Sequence, residues 1–385
     1  MIFSDELIEK FSHIATPFYY YDLGLLEKNL VTLKQYNASY GYKIHFALKA
    51  NADMRILELI QHYGLGADCV SGNEVKCALE KGFSPDDIVF AGVGKTDQEI
   101  EFALRSNIHC LNCESLQELK VVHQIAANLD KRAPIALRIN PNLEAHTHQY
   151  ITTGLEENKF GINLIYLNDA LDIIEKHPCL NLIGIHFHIG SQITDLNVYR
   201  QLCLKVNEVQ KLLKDKGINI YHLNLGGGLG VNYQEPDTQL VPDYKSYFEV
   251  FKNHLDISDN KIIHLELGRS IVAQCGTLFT KVLYLKKGLQ TQFVVVDAGM
   301  TELLRPALYQ AYHKIENLSS KAPLQKYDVV GPVCESADYL GKSVYLSETK
   351  RGDVIAIRTV GAYAQVMASR YNMREPARVV YSDTI

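Results

Sequence analysis

An apolar, strand-like run from Ile44 to Leu48 ends in Lys49, which Ala50 and Asn51 follow. Burial lowers the pKa of a lysine, and a neutral amine at the end of a buried strand is able to form a Schiff base with a carbonyl compound. The alternative is an ordinary lysine whose stem is buried and whose ammonium reaches water. The hexapeptide by itself favours this alternative, so the choice depends on the rest of the chain.

A glycine run, Gly226-Gly227-Gly228, follows the seventh of eight strand-like runs. Glycine lets consecutive backbone N–H groups point toward one anion without interference from Cβ atoms, as in a phosphate-binding turn. A tight turn without a ligand is the alternative. Barrels of alternating strands and helices commonly bind phosphate after strands seven and eight, which favours a phosphate site here.

Two further segments place ionisable residues at strand ends. His186 and His188 alternate along a strand and point the same way, so they could begin a metal site, line the core or stack on a planar ligand. No third ligand at a suitable spacing accompanies them. Glu266 ends another run, and a buried carboxylate keeps a facing heterocyclic nitrogen protonated, as a pyridine ring needs in order to accept electrons. An ion pair of Glu266 with Arg269 is the alternative.

Strand-like runs alternate with helical patterns through much of the chain. The eight runs cover residues 43–48, 66–70, 88–91, 108–112, 135–139, 182–187, 221–225 and 262–266. This alternation, without an early GxGxxG motif, favours a (β/α)8 barrel over a doubly wound α/β sheet. After residue 270 strand-like runs dominate. We therefore predict a barrel at residues 25–270 and a mostly β domain formed by residues 1–24 and 271–385, with the Thr16–Tyr21 strand pairing into it.

Unusual polar residues recur where these runs end, which is where barrel enzymes have their active sites. Each lies at or near the end of a different run: Lys49, Asp68, Arg138, His188, Gly226-Gly227-Gly228 and Glu266. The coincidence across six runs predicts one shared site.

Composition limits the classes of function. With 385 residues, 47% apolar and 22% charged, the chain has the composition of a globular protein with a large core. A net charge of −5 argues against nucleic acid as the main partner. No apolar run is long enough for a membrane span and the amino terminus lacks a signal-peptide core, so we expect a cytoplasmic protein. Eight scattered cysteines, with Cys110-x-x-Cys113 lacking a second ligand pair, give no reason to expect a metal.

The combined motifs resemble the pyridoxal-phosphate-dependent decarboxylases of the alanine-racemase-type fold, and among them the diaminopimelate decarboxylase family. The resemblance runs nearly end to end. It is carried by residues 46–51, 66–71, 153–161, 186–192, 226–228, 266–269, 305–309, 334–338 and 361–363. It implies pyridoxal 5'-phosphate as cofactor and decarboxylation of meso-2,6-diaminopimelate to L-lysine and CO2, the last step of lysine biosynthesis.

The resemblance also implies a role for each matching residue. Lys49 matches the Schiff-base lysine, His188 the imidazole that stacks on the cofactor ring, and Cys334 the proton donor. The implied cofactor-binding residues are Lys49, Asp68, Arg138, His188, Ser191, Gly227, Gly228, Glu266, Gly268, Arg269 and Tyr363. The implied substrate-binding residues are Arg269, Arg305, Tyr309, Glu335 and Tyr363.

In this family Cys334 and Glu335 enter the site from the neighbouring subunit, so the resemblance implies a homodimer with shared active sites. The chain has Leu267 where many relatives have proline, which removes no charged group. Three alternatives remain open. One is a decarboxylase of the same fold for ornithine, arginine, lysine or a carboxylated polyamine, and another is a catalytically inactive regulatory homologue. The third is a metalloenzyme barrel built on His186 and His188.

Overall fold

The computed structural model describes residues 3–143, 158–257 and 260–385. The chain forms two compact units: one contains Leu30–Gly230 and Asp243–Gly268, and the other contains Met1–Asn29, Val231–Pro242 and Arg269–Ile385. The first elements along the chain are α1 (Asp5–Ser12), β1 (Phe18–Tyr21) and α2 (Leu23–Asn37).

The first unit is a closed barrel of eight parallel strands, as predicted. Its strands are β2 (Lys43–Ala47), β3 (Gly66–Cys69), β4 (Ile88–Phe90), β5 (Cys110–Cys113), β6 (Ala133–Asn140), β8 (Leu180–His186), β9 (His222–Gly227) and β10 (Ile262–Leu267), with a short β7 (Ile162–Asn163) beside β6. The order is β5-β4-β3-β2-β10-β9-β8-β6, and the pairing of β5 with β6 closes the barrel. All eight predicted runs are barrel strands.

Helices connect the barrel strands. They are α3 (Met54–His62), α4 (Gly72–Glu80), α5 (Asp97–Arg105), α6 (Leu116–Asn128), α7 (Leu167–Lys176), α8 (Asn197–Asp215) and α9 (Tyr244–His254). Side chains cap several of their first turns: Thr96 forms a complete capping box with Glu99. No helix in the described residues is long and apolar enough to cross a membrane.

The second unit is built on an eight-stranded sheet. After α10 (Arg269–Val272) its elements are β11 (Gly276–Lys287), β12 (Gln292–Val296), α11 (Arg305–Tyr309), β13 (Ile315–Asn317), β14 (Leu324–Val330), β15 (Tyr339–Ser347), β16 (Val354–Arg358) and β17 (Arg378–Tyr381). As predicted, β1 joins this sheet, antiparallel to β11 and parallel to β17. An aromatic core of Phe11, Phe18 and Phe279 packs beside it.

Candidate active site

Lys49 lies in a single 3-10 turn, Leu48–Ala50, that directly follows β2. Its Nζ is 3.0 Å from Oδ2 of Asp68, a fully buried residue of the neighbouring strand β3. Burial and the charge of Glu266 raise the pKa of Asp68, while Lys49 opposes the rise. The amine therefore lies against a desolvated acid at the carboxyl end of the barrel.

Glu266 is the second buried carboxylate at this end. Its Oε1 accepts a 2.7 Å hydrogen bond from the Asn224 amide, and its Oε2 lies 3.2 Å from Nε2 of His186. Burial alone would raise the pKa of Glu266, but the neighbouring His186, together with Lys49 and His188, lowers it below its ordinary value. The carboxylate is thus ionised and held in a fixed orientation. Asn224 and His186, its two partners, are residues whose roles the sequence did not predict.

The glycine run turns at the end of β9 with positive φ at Gly226 and Gly228. A Cβ atom at Gly227 would lie 1.7 Å from the carbonyl oxygen of Glu266, so only glycine fits between β9 and β10. The Gly227 N–H donates to Nδ1 of His188 over 3.3 Å. Burial, with Lys49 nearby, lowers the pKa of His188 well below its usual value. His188 is therefore neutral, with its proton on Nε2.

Arg138 reaches this end of the barrel from β6. Its guanidinium donates over 2.8 Å to Glu114, which directly follows β5, and it lies 4.7 Å from the ring of Phe160. Glu114 also accepts the backbone N–H of Gly92 over 2.7 Å and that of Gly161 over 3.2 Å. One carboxylate thus links the loops after three neighbouring strands. This partner was not predictable from the sequence, because 24 residues separate Glu114 from Arg138 along the chain.

In the second unit, Arg269 is buried at the start of α10. Its guanidinium lies 4.8 Å from the centre of the Tyr363 ring and donates to the hydroxyl of Tyr233. The sequence left open an ion pair of Arg269 with Glu266. In the described residues the hydrogen bonds of the Glu266 side chain go instead to Asn224 and His186.

Arg305 is also buried, at the start of α11. It donates over 2.7 Å to Nε2 of His313, whose Nδ1 lies 2.9 Å from the backbone carbonyl of Arg358. Because a carbonyl only accepts, the proton of neutral His313 is on Nδ1 and the Nε2 lone pair faces Arg305. Burial, with Arg305 beside it, lowers the pKa of His313 to about 3, which keeps it neutral. His313 thus fixes the Arg305 side chain, and the sequence did not single it out.

Cys334 and Glu335 lie on an exposed loop between β14 and β15 of the second unit. The N–H of Cys334 donates over 2.9 Å to the side chain of Asn372. Buried Asp338 shapes the loop by accepting the N–H of Val333 over 2.8 Å and that of Met300 over 2.6 Å. The thiol and the carboxylate are thus presented at the surface of the chain.

The other predicted site residues take ordinary positions. Ser191 follows His188 and is half-buried, Gly268 directly follows β10, and Tyr309 is the half-buried last residue of α11. Of the motif at 153–161, residues 153–157 lie outside the described part of the chain. Cys110 and Cys113 are buried residues of β5.

The carboxyl end of the barrel fits pyridoxal phosphate. It offers an amine for an aldehyde, an ionised carboxylate for a ring nitrogen, and a turn of glycines that carries no Cβ atoms. Oδ1 of Asp68 and Nδ1 of His186 are buried without a hydrogen-bond partner in the described residues. Buried polar atoms without partners are uncommon, and a polar ligand would satisfy them.

Known proteins resemble the chain closely. Residues 26–273 match the family model described as pyridoxal-dependent decarboxylase, pyridoxal binding domain. Diaminopimelate decarboxylase of Bacteroides thetaiotaomicron is 49% identical over 98% of this chain and 98% of its own length. The crystal structure of diaminopimelate decarboxylase from Helicobacter pylori, complexed with L-lysine, is 42% identical, has a TM-score of 0.92, and is matched over 98% of this chain and 94% of its own.

These matches extend over the barrel and the β-rich unit alike, and they agree with the amine, carboxylate and glycine turn found at the strand ends. The chain belongs to the diaminopimelate decarboxylase family of pyridoxal-dependent decarboxylases.

Proposed function

We propose that this chain decarboxylates meso-2,6-diaminopimelate to L-lysine and CO2, with pyridoxal 5'-phosphate as its cofactor. One observation carries the proposal: the Lys49 amine lies 3.0 Å from buried Asp68 at the barrel end that also holds ionised Glu266. The relatives named diaminopimelate decarboxylase support the choice of substrate.

Lys49 would hold the cofactor aldehyde, and Glu266 would pair with the pyridine nitrogen. When bound, the cofactor supplies a ring that takes up the electron pair left behind by departing CO2. Glu266 suits this task because it stays ionised and its two partners fix it in place. An opposite charge this close favours the protonated ring nitrogen.

The other cofactor contacts come from backbone and ring groups. The Gly227 N–H fixes the His188 imidazole through Nδ1, so that one face of this neutral ring can lie along the cofactor. We assign the phosphate to the backbone and side-chain groups of Ser191, Gly227, Gly228, Gly268, Arg269 and Tyr363. Asp68 and Arg138 complete the cofactor site.

Arg305 is proposed to bind the carboxylate at the end of the substrate that does not react. A guanidinium has five N–H donors, of which His313 accepts one, and two others can hold a carboxylate side by side. Arg269, Tyr309 and Tyr363 would assist, and Glu335 would pair with the distal ammonium. Substrates without the distal carboxylate lose this interaction, which is the basis of the proposed specificity.

Cys334 is proposed to return a proton to the carbon that has lost CO2. A thiol suits this step because its ordinary pKa, about 8.5, is near the working range. Cys334 and Glu335 are exposed in the single chain, which supports their entry into the active site of a second subunit. We therefore propose a homodimer with shared active sites. The cytoplasmic location expected from the sequence remains a prediction.

The test is CO2 release by the purified protein, supplied with pyridoxal phosphate, from diaminopimelate, ornithine, arginine and lysine. We expect turnover of diaminopimelate alone, and its loss in Arg305→Ala. The matched control is Arg351→Ala, because Arg351 is an exposed arginine of the same unit that lies 5.2 Å from the Tyr284 ring. Full kcat/KM in Arg305→Ala would reject the assigned role. Preference for another of the four amino acids would reject the proposed substrate, and no turnover of any would favour an inactive homologue.

A further inference from the structure

Four imidazoles meet at the amino-terminal end of the barrel, opposite to the candidate active site. We call them the histidine cluster: His45 in β2, His109 directly before β5, His222 at the start of β9, and His264 in β10. The ring centres of His222 and His264 are 3.9 Å apart, and His264 is 5.1 Å from His45 and 5.2 Å from His109. All are buried except His109, which is half-buried.

Two glycines make room for the cluster. A Cβ atom at Gly66 of β3 would lie 2.5 Å from Nδ1 of His45. One at Gly184 of β8 would lie 1.9 Å from the carbonyl oxygen of His222 and 2.7 Å from its Cβ. Real Cβ atoms do not approach other atoms this closely, so neighbouring strands leave space that the imidazoles fill.

Hydrogen bonds fix the proton positions on one side of the cluster. Nδ1 of His45 lies 3.0 Å from the carbonyl oxygen of Asp87, so this nitrogen carries the proton and donates. Nε2 of neutral His45 therefore accepts, over 2.8 Å, from Nδ1 of His264. The remaining nitrogen of His264, Nε2, must then hold a lone pair. It is buried and has no hydrogen-bond partner in the described residues.

The other side of the cluster offers two more nitrogens. Nε2 of His109 lies 3.0 Å from Nδ1 of His222, and Nε2 of His222 is buried without a hydrogen-bond partner in the described residues. One ring nitrogen from each of His109, His222 and His264 lies within 4.8 Å of the others. In tetrahedral coordination with metal–nitrogen distances of about 2.0–2.1 Å, two ligand nitrogens are about 3.4 Å apart. Small ring movements would therefore bring the three imidazole nitrogens within coordination distance of one ion.

We propose that His109, His222 and His264 form a binding site for a divalent transition-metal ion of the zinc type. Imidazole suits such ions, and ligating histidines commonly donate their second ring N–H to a fixed acceptor, as His264 does to His45. The ion would join β5, β9 and β10 at the end of the barrel remote from Lys49. Its role is to stabilise the barrel, and it does not depend on the reaction proposed above.

The pocket beside His45, about 110 Å³ and also lined by Gly66 and Asp87, reaches this end of the barrel.

The test measures ion binding to the full-length protein with its cofactor bound. We expect equilibrium dialysis to show one Zn²⁺ ion bound per chain and the Tm to rise when Zn²⁺ is added. When Co²⁺ is bound instead, we expect a visible absorption spectrum typical of nitrogen ligands. His264→Gln and His109→Gln are expected to weaken binding at least 10-fold and to abolish the Tm rise. The matched control is His62→Gln, because His62 is an exposed histidine of the barrel unit outside the cluster.

Absence of Zn²⁺ binding at micromolar concentrations would overturn the proposal. So would equal binding by the wild type and both cluster variants, or a Co²⁺ spectrum of thiolate ligation, since the chain has eight cysteines. Should His264→Gln fail to fold, His109→Gln decides, because His109 is only half-buried. Retained CO2 release by the folded variant would show that any loss of binding lies outside the active site.

Discussion

Two lysine–aspartate pairs lie at opposite ends of β2, and their geometry is the same. Nζ of Lys43 is 3.0 Å from Asp87, and Nζ of Lys49 is 3.0 Å from Asp68. The two acids differ most in exposure, since the Asp87 side chain is 34% exposed and the Asp68 side chain is 0% exposed, while the lysine side chains are 53% exposed at Lys43 and 33% exposed at Lys49. Water screens the first pair to at most about 1 kcal/mol, while in the second pair burial and the nearby charge of Glu266 raise the pKa of Asp68. Solvent exposure of the acid, and not the distance between nitrogen and oxygen, distinguishes the two pairs.

Replacing the Lys49 amine has the largest expected effect. Lys49→Ala removes the group proposed to hold the cofactor aldehyde, so we expect kcat for CO2 release to fall by at least about 10³-fold. The visible absorbance of lysine-bound pyridoxal phosphate is expected to disappear. Persistence of that absorbance in the variant would show that another amine holds the cofactor. It would contradict the assignment of different roles to Lys49 and Lys43.

The Glu266 charge lies near the pair of Lys49 and Asp68. In Glu266→Gln a neutral amide replaces the carboxylate proposed to pair with the ring nitrogen, and we expect kcat to fall by about 10²–10³-fold while the absorbance of lysine-bound cofactor remains. The control is Glu249→Gln, because Glu249 is a glutamate of α9 whose side chain is 44% exposed. Steady-state kinetics of both variants test this, and an unchanged kcat for Glu266→Gln would remove the carboxylate from the mechanism.

Asp68 predicts a dependence of stability on pH. Burial and Glu266 raise its pKa, so the native protein retains a proton that the unfolded chain has already released. The free energy of unfolding of the cofactor-free protein must then fall as pH rises from about 4 toward the native pKa, by about 1.4 kcal/mol for each unit of the shift. Asp68→Asn is expected to remove this fall. Urea unfolding across the pH range measures it, and parallel pH profiles for the two proteins would contradict the assignment.

The surface lysine has the smallest expected effect. Lys43→Ala removes an exposed ion pair, so we expect a loss of no more than about 0.5 kcal/mol of unfolding free energy and unchanged kcat. Denaturation and CO2 release together measure this outcome. A large loss of activity would mean that the two ends of β2 are less different than their exposure indicates.

Much of the barrel was predictable because its signals are local. Each strand is a short apolar run, and residues such as Lys49 and Glu266 lie at predictable strand ends. Ser71 and Ser115 each precede a glutamate by three residues, the spacing typical of a capping box, and they accept the N–H groups of Glu74 and Glu118. Their capping boxes are incomplete, however, because the two glutamates instead accept the N–H groups of the residues before the serines, where the chain leaves the strand.

Side-chain partners that only the fold brings together were not predictable from one chain. Glu114 pairs with Arg138, and His313 with Arg305, only because the fold brings them together. The histidine cluster shows this most clearly. Its four members lie singly at or near the starts of separate strands, and no spacing along the chain joins them, whereas His186 and His188 could be considered as ligands because they are close in the sequence.

The missing side chain at Gly227 also bears on how such a barrel can evolve. Any larger residue there would force apart two strands whose backbones are in contact, and the carbonyl of the acid proposed to pair with the cofactor ring would move with them. A substitution at this codon therefore disturbs the contact between the two strands and the position of the acid in the same step. Because the obstacle is a backbone atom, a compensating change in another side chain cannot supply the space.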